Sequence, residues 1–313
     1  MTPQFDYLIG HDVPTEQRNE STLGIDRLAT GELVTRLIDA NATIHRAVAA
    51  QSGQLSAAVE AALISWVAGG VIHYAGAGTS GRLAVLDAVE LLPTYGVGED
   101  RVRAHLAGGA AAMMHAVEGA EDDRAAGEEL GASLAPTDVM FGVTASGRTP
   151  FVAGALSGAR SRGATTILLA SNPAAELAAL ADIAILPDTG PEVITGSTRM
   201  NAATAQKIVL NTFSTALMVR CGKTFDNLMI DVRATNEKLR ARTVRMIVQA
   251  SGISPEEARG NLTEAGGHIA PALVMALAGV DLAAAKAALA AFPPDPHRAG
   301  DPSGIRSALA ALG

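Results

Sequence analysis

The chain of 313 residues has a single cysteine, Cys221. That excludes an intrachain disulfide and any zinc site built on several thiolates, and it suits a reducing compartment. Aromatic residues make up 3% of the sequence and charged residues 18%, with a formal net charge of −8. A broad basic surface for gripping a phosphate backbone is therefore excluded, and no nucleic-acid partner is expected. Lysine is scarce: Lys207, Lys223, Lys238 and Lys286 are the only four, and none precedes position 207. A P-loop or Schiff-base lysine in the first two thirds is ruled out. No uncharged stretch of about 18 residues is apolar enough to span a bilayer. Met1 to Glu20 holds several acids and no apolar segment of the signal-peptide kind. A cytoplasmic protein without a membrane partner is expected.

What the chain does have is apolar bulk, with 48% hydrophobic residues, ample for a buried core. Its length suits about two units. It is rich in alanine, which favours helices and predicts close helix–helix packing. Helical spacing runs from about Leu28 to Ala50 and from Leu55 to Val67. Short apolar runs then alternate with helical ones. Val71–Ala75, Arg101–Ala107, Asp138–Thr144, Thr165–Ala170 and Ile183–Leu186 read as strands. The intervening helices are expected over Arg82 to Leu92, stopped by Pro93, over Ala110–Leu130, from Pro150 to about Arg162, and over Ala174–Ala181. This alternation predicts an α/β fold, a three-layer αβα sandwich around a five-stranded parallel sheet. A loop from Pro191 to Ser197, a long helix to Arg220 and a connecting helix from Asn227 to Ala250 follow. Ser254-Pro-Glu-Glu257 reads as an N-cap, a proline at N1 and a glutamate at N3, opening a small C-terminal helical domain. The expected division is 1–61, a helical segment; 62–225, the sheet domain; 226–250, the connecting helix; and 251–313, the small domain and tail.

Two loops fall where parallel sheets bind ligands, at the carboxyl ends of strands. They are Gly76-Ala-Gly-Thr-Ser-Gly81 and Ala145-Ser-Gly-Arg-Thr149. Glycine admits close approach of a ligand, the next helix offers free N–H groups, and the hydroxyls donate to phosphate oxygens. Two such loops suit a phosphate monoester. The first also matches G-x-G-x-x-G, but the next strand ends in Leu106-Ala-Gly-Gly109 without the acid that a dinucleotide site requires. The histidines, at 11, 45, 73, 105, 115, 268 and 297, show no ligand spacing, and His73 reads as a sheet residue. No metal and no cofactor are expected. Glu90 sits in the apolar run Leu86-Asp-Ala-Val-Glu-Leu-Leu92, a setting that raises a carboxyl pKa toward general-acid use. Glu121 falls in the expected next helix. A glutamate in a helix is ordinarily a solvated surface residue, and spacing alone distinguishes neither one.

Several blocks together resemble the N-acetylmuramic acid 6-phosphate etherases. They are Gly76-Ala-Gly-Thr-Ser-Gly-Arg-Leu83, Ala145-Ser-Gly-Arg-Thr-Pro150, Thr195-Gly-Ser-Thr-Arg-Met200, Thr204-Ala-Gln-Lys207, Asn227-Leu-Met-Ile-Asp-Val232 and Ala234-Thr-Asn-Glu-Lys-Leu239. Thr15-Glu-Gln-Arg-Asn19 and Ile25-Asp-Arg27 are similar too. The resemblance implies a sugar isomerase (SIS) domain, a small C-terminal unit like ubiquitin-associated domains, and a homodimer. It implies a lyase that removes D-lactate from N-acetylmuramic acid 6-phosphate in cell-wall recycling. It places the two catalytic glutamates at Glu90, the acid, and Glu121, the base at C2. Thr79, Ser80, Ser146 and Thr149 are expected to hold the phosphate, and Ser197, Thr198 and Arg199 further parts of the substrate. Two departures stand out. The family's Ala-Ser-Glu-Cys-Pro-Pro-Thr reads Ala88-Val-Glu-Leu-Leu-Pro-Thr94 here, and its Lys-x-Gly after Arg-Met reads Asn201-Ala-Ala203. A non-catalytic sugar-phosphate sensor and a phosphosugar isomerase are the alternative readings.

Overall fold

The computed structural model describes residues 13–232 and 237–313. His11 and the Ala234-Thr-Asn236 part of one quoted block lie outside the described residues. The chain divides into two compact units, Met1–Asp87 with Val102–Phe213, and Ala88–Arg101 with Ser214–Gly313.

Among the described residues, the first unit begins with three one-turn helices, Pro14–Glu16, Glu20–Thr22 and Ile25–Arg27. Helices α1 (Thr30–Asp39), α2 (Ile44–Ala49) and α3 (Ser52–Val67) follow. The single helix expected from Leu28 to Ala50 is thus broken between Asp39 and Ile44, where Asn41 turns its side chain back to the Leu37 carbonyl at 3.0 Å. Then β1 (Ile72–Gly76), α4 (Gly78–Tyr95), β2 (Val102–Leu106), α5 (Arg124–Ala132), β3 (Val139–Thr144), α6 (Pro150–Ser161), β4 (Thr165–Ala170), β5 (Ile183–Ile185) and α7 (Asn201–Arg220) complete the α/β alternation. The unit boundaries cut α4 after Asp87 and α7 after Phe213.

The five strands pair in parallel in the order β2-β1-β3-β4-β5. Side chains alternate across β1, as strand geometry requires. Tyr74 faces Phe141 and Phe213 of α7, and the Phe141 and Phe213 rings sit 4.9 Å apart edge to face. Ala75 points to the other face, into a core of Met140, Leu168 and the α6 residues Val152 and Leu156. Three of the ten aromatic residues thus meet in one buried cluster. Glycine lets α5 and α6 touch backbone to backbone. A Cβ on Gly127 would overlap the Phe151 carbonyl oxygen, and one on Gly154 that of Arg124. This is the close packing that the alanine-rich composition predicts.

Three expected helices change form. Pro93 does not stop α4, which runs on to Tyr95. The proline sits in the last turn, where only one bond is lost, and the Thr94 hydroxyl donates to the Glu90 carbonyl at 2.8 Å. Ala110–Leu130 is not one helix but two single turns, Ala110–Met113 and Ala120–Asp122, before α5. Gly108, Gly109 and Gly119 adopt φ of 83°, 69° and 74° there, which a helix interior does not allow. Ala174–Ala181 is likewise a single short turn, Glu176–Leu180.

In the second unit, β6 (Thr224–Phe225) and β7 (Leu228–Met229) form a small antiparallel hairpin. The helix expected from Asn227 instead begins at Glu237. Asp226, with φ of 51°, makes the turn, a conformation that Asp tolerates better than most residues. Helices α8 (Glu237–Ser251), α9 (Pro255–Glu264), α10 (Ile269–Ala278), α11 (Leu282–Ala291) and α12 (Ile305–Leu312) follow. The Ser254–Glu257 capping box forms as expected. Ile230, Met246, Ile247, Leu262, Leu273 and Ile305 bury one shared core. Among the described residues, no single helix is long and apolar enough to cross a membrane.

Candidate active site

In this strand order the chain leaves β1 in opposite lateral directions, to β2 on one side and to β3 on the other. The crevice at the carboxyl ends of β1 and β3 is the topological switch point, where open sheets bind ligands. The two hydroxyl-bearing loops flank it. The first turns on Gly78, whose φ is 54°. Gly76 and Gly81 bring strand and helix together: a Cβ on Gly81 would lie 2.5 Å from the Gly76 carbonyl oxygen. Ser80 is buried at the start of α4, and Thr79 is half-buried.

The second loop is held from beneath. The Thr144 and Thr149 hydroxyls bond each other at 2.7 Å, and Gly147 turns with φ of 76°. Asn172 donates to the Ser146 carbonyl at 2.8 Å and Gln206 of α7 to the Thr144 carbonyl at 3.0 Å. Arg148 pairs with Glu176 at 3.0 Å. Ser146 and Thr149 are half-buried, their loop fixed before any ligand arrives.

The third segment, Thr195–Met200, leads into α7. Ser197 and Thr198 are half-buried and Arg199 is exposed. Its anchor is a residue that sequence reading missed. Glu192 is fully buried, and its carboxylate accepts from the backbone N–H of Asn201 at 2.8 Å and of Ala202 at 2.9 Å. Burial raises its pKa, and those two bonds oppose the rise. The α7 N-terminus is therefore satisfied by the chain's own acid, and the positive helix end is not free for a phosphate. The N-terminal block buttresses the same segment. Asn19 donates to the Pro191 carbonyl at 3.3 Å, Thr22 to that of Val193 at 2.9 Å, and the Gly196 N–H donates to the Thr15 carbonyl at 3.2 Å. That gives the Thr15–Asn19 run a structural reason.

A cleft of about 250 Å³ opens beside the first loop. Ala77, Gly78 and Arg82 line one wall, and Glu118 and Glu121 stand on the segment after β2. Glu121 is exposed, on the single turn Ala120–Asp122 rather than on a long helix. The Gly119 signal before it and the Asp123 N-cap after it, which accepts the Ala126 N–H at 2.9 Å, mark that break in the sequence. Arg82 and Glu118 are cleft residues that sequence reading also missed. The hydroxyls of Thr79, Ser80, Ser146, Thr149, Ser197 and Thr198 are outside this lining. Glu90 lies on the second half of α4, in the other compact unit. It is exposed, and so are its neighbours Val89 (56%) and Leu92 (46%). Among the described residues, the Glu90 carboxyl is exposed rather than set in the apolar surroundings expected of it.

A curated N-acetylmuramic acid 6-phosphate etherase of Thermobifida fusca is 52% identical over 84% of this chain and 87% of its own length. The chain belongs to the N-acetylmuramic acid 6-phosphate etherase family. A Salmonella agona member is 48% identical over 88% of this chain and 94% of its own. Residues 113–216 match the SIS domain family, and residues 54–160 match the glucokinase regulatory protein N-terminal SIS domain. A solved phosphoheptose isomerase from Francisella tularensis shares the fold, with a TM-score of 0.50, 16% identity, and coverage of 61% of this chain and all of its own. Family membership makes the expected SIS fold, with its parallel sheet and helical C-terminal region, the scaffold of an enzyme.

Proposed function

We propose that the chain cleaves the lactyl ether of N-acetylmuramic acid 6-phosphate with water, giving N-acetylglucosamine 6-phosphate and D-lactate in cell-wall recycling. Membership of the etherase family supports the overall reaction. The observation that carries the local reading is Glu121, a carboxylate in a cleft beside the loop that follows β1. The sugar opens to its aldehyde, which acidifies the proton at C2. Glu121 takes that proton as the base. The electron pair forms the C2–C3 double bond as the C3–O bond breaks, and Glu90, as the acid, protonates the departing ether oxygen. Water then adds across the unsaturated aldehyde at C3, and D-lactate has left. One carboxyl starts ionised and the other protonated, so two are needed.

With no lysine before position 207, the phosphate is held by hydroxyls and backbone N–H groups, with arginine the remaining source of a cation. Thr79 and Ser80 at the start of α4, and Ser146 and Thr149 in the braced second loop, are the proposed contacts. Ser197, Thr198 and Arg199 contact further substrate atoms, with Arg199 suited to an anionic oxygen. The protein works in the cytoplasm as a homodimer.

The deciding experiment incubates the protein with N-acetylmuramic acid 6-phosphate and assays free lactate. Lactate release is expected. Tight binding without lactate would replace the enzyme by a sugar-phosphate sensor. Glu121→Gln is expected to lose solvent-deuterium exchange at C2 of the intact substrate along with turnover, by about 100-fold or more. Unchanged exchange in that variant rejects Glu121 as the base.

A further inference from the structure

The segment from Gly108 to Asp123 carries Glu121, yet has no regular helix or strand to fix its shape. It contains two single turns and three left-handed glycines. Its own backbone bonds are local: Ala112 N–H to Gly109 at 3.0 Å, Met114 N–H to Ala111 at 3.2 Å and Asp122 N–H to Gly119 at 3.1 Å. Met114 and Val117 point to solvent, 82% and 43% exposed. Such a segment costs conformational entropy to order and buries little to offset it.

Ala112 is buried and Ala120 packs against the core that α6 lines, and one long side chain reaches across to the segment. Arg82 opens the second turn of α4, directly after the Gly76–Gly81 close approach. Its Nε donates to the carbonyls of Ala112 at 2.9 Å and Met113 at 3.2 Å, and its Nη2 to that of His115 at 3.4 Å. A planar guanidinium fork serves several carbonyls at once, whereas an ammonium on a flexible stem does not hold that geometry. Arg82 also lines the cleft that Glu121 enters. We propose that Arg82 is a positioning residue: its guanidinium clamps the segment after β2 and so sets where the Glu121 carboxylate stands relative to the loop after β1. This rests on the reading of Glu121 as the C2 base, and it adds a residue that acts through Glu121 rather than on the substrate.

The test uses the full chain and two variants. Arg82→Lys keeps the charge and loses the fork; Arg82→Met keeps the stem alone. Turnover is expected to fall about 100-fold in both, the scale of a misplaced catalytic group, with KM close to wild type. Exchange at C2 falls by the same factor, and added guanidinium restores part of the Arg82→Met turnover. In the free protein, amide hydrogen exchange across residues 110–121 becomes faster in both variants and stays unchanged in α6. Full turnover in Arg82→Lys overturns the proposal, because charge alone would then suffice. A loss confined to KM overturns it too, since that marks a substrate contact. So does unchanged amide exchange across 110–121. If Arg82→Met does not fold, Arg82→Lys carries each readout. If the wild-type protein releases no lactate, the proposed function fails, while the amide exchange still decides whether Arg82 holds the segment.

Discussion

His73 shows what a single residue adds beyond its sequence context. A histidine inside an apolar strand reads as a sheet residue, and it is one, 5% exposed. Its partners are not legible, because they lie on β2 and just before β3 and come together only when β1 is flanked by both strands. The His73 Nδ1 meets His105 Nε2 at 3.0 Å, and its Nε2 lies 3.7 Å from Asp138. Asp138 is already committed to the backbone N–H groups of Val71 and Ala135, each at 2.8 Å. Burial pushes the His73 pKa down to about 4, with His105 and Arg103 lowering it further against the pull of Asp138. The unfolded chain therefore binds a proton that the folded chain refuses, in the window from about 6.5 down to about 4. Stability is complete above the upper value and falls with pH through the window, by roughly 3 kcal/mol at its full extent. Denaturant unfolding at pH 7 and at pH 5 checks this, and His73→Asn is expected to flatten the dependence. A wild-type stability that does not fall between those two pH values rejects it. Glu192 makes the same point about legibility. It stands in a loop of polar residues, and nothing in its neighbours in sequence says that its carboxylate is fully buried against α7.

Elements were legible where one periodicity ran uninterrupted, and illegible where backbone geometry overruled composition. The five strands fall within a residue or two of their expected bounds; the central β1, β3 and β4 are covered on both faces and so read as mainly apolar runs. The Ser254 cap of α9 was equally plain, since its bonds are local. The stretch from Ala110 to Leu130 has the composition of a helix, but Gly108, Gly109 and Gly119 take left-handed conformations, so Glu121 arrives on a turn. Glycine has the opposite role between α5 and α6, where the missing side chain is the contact. Gly154→Ala places a methyl against the Arg124 carbonyl oxygen and near the Glu128 N–H. Both are backbone atoms, so one helix must shift. Alanine raises helix propensity by about 1 kcal/mol, so an exposed site would be stabilised. Here a net loss of about 1–3 kcal/mol is expected from overpacking. Thermal unfolding of Gly154→Ala beside Gly31→Ala checks it, because nothing lies within 4 Å of a Cβ at Gly31 in α1. Equal midpoints for the two variants would show that α5 and α6 do not need their close approach.

At the scale of the whole molecule, the open question is what surrounds Glu90. The sequence places the residue among apolar neighbours; Leu91 is buried, while three others of the same helix are exposed. Leu86, Val89 and Leu92 of α4 are 40%, 56% and 46% exposed, at the three-residue spacing that makes one helix face. A monomer seldom leaves large side chains exposed in such a row without covering them with something. The proposed homodimer is the occupant that the family resemblance supplies. A second chain laid over this face would give Glu90 the water-poor surroundings that a general acid needs, and would account for a carboxyl kept in an otherwise apolar run. Val89→Asp puts a charge on that face without replacing either glutamate or any hydroxyl of the loops. It is expected to shift the protein from dimer to monomer in sedimentation at micromolar concentration, and to lower turnover with it. The fold is expected to keep its stability, since the side chain is solvent-exposed in the single chain. A wild-type protein that sediments as a monomer while releasing lactate would remove the dimer from the mechanism. Glu90 would then have to act as an acid from an open surface, and the apolar row on α4 would have no part in the chemistry.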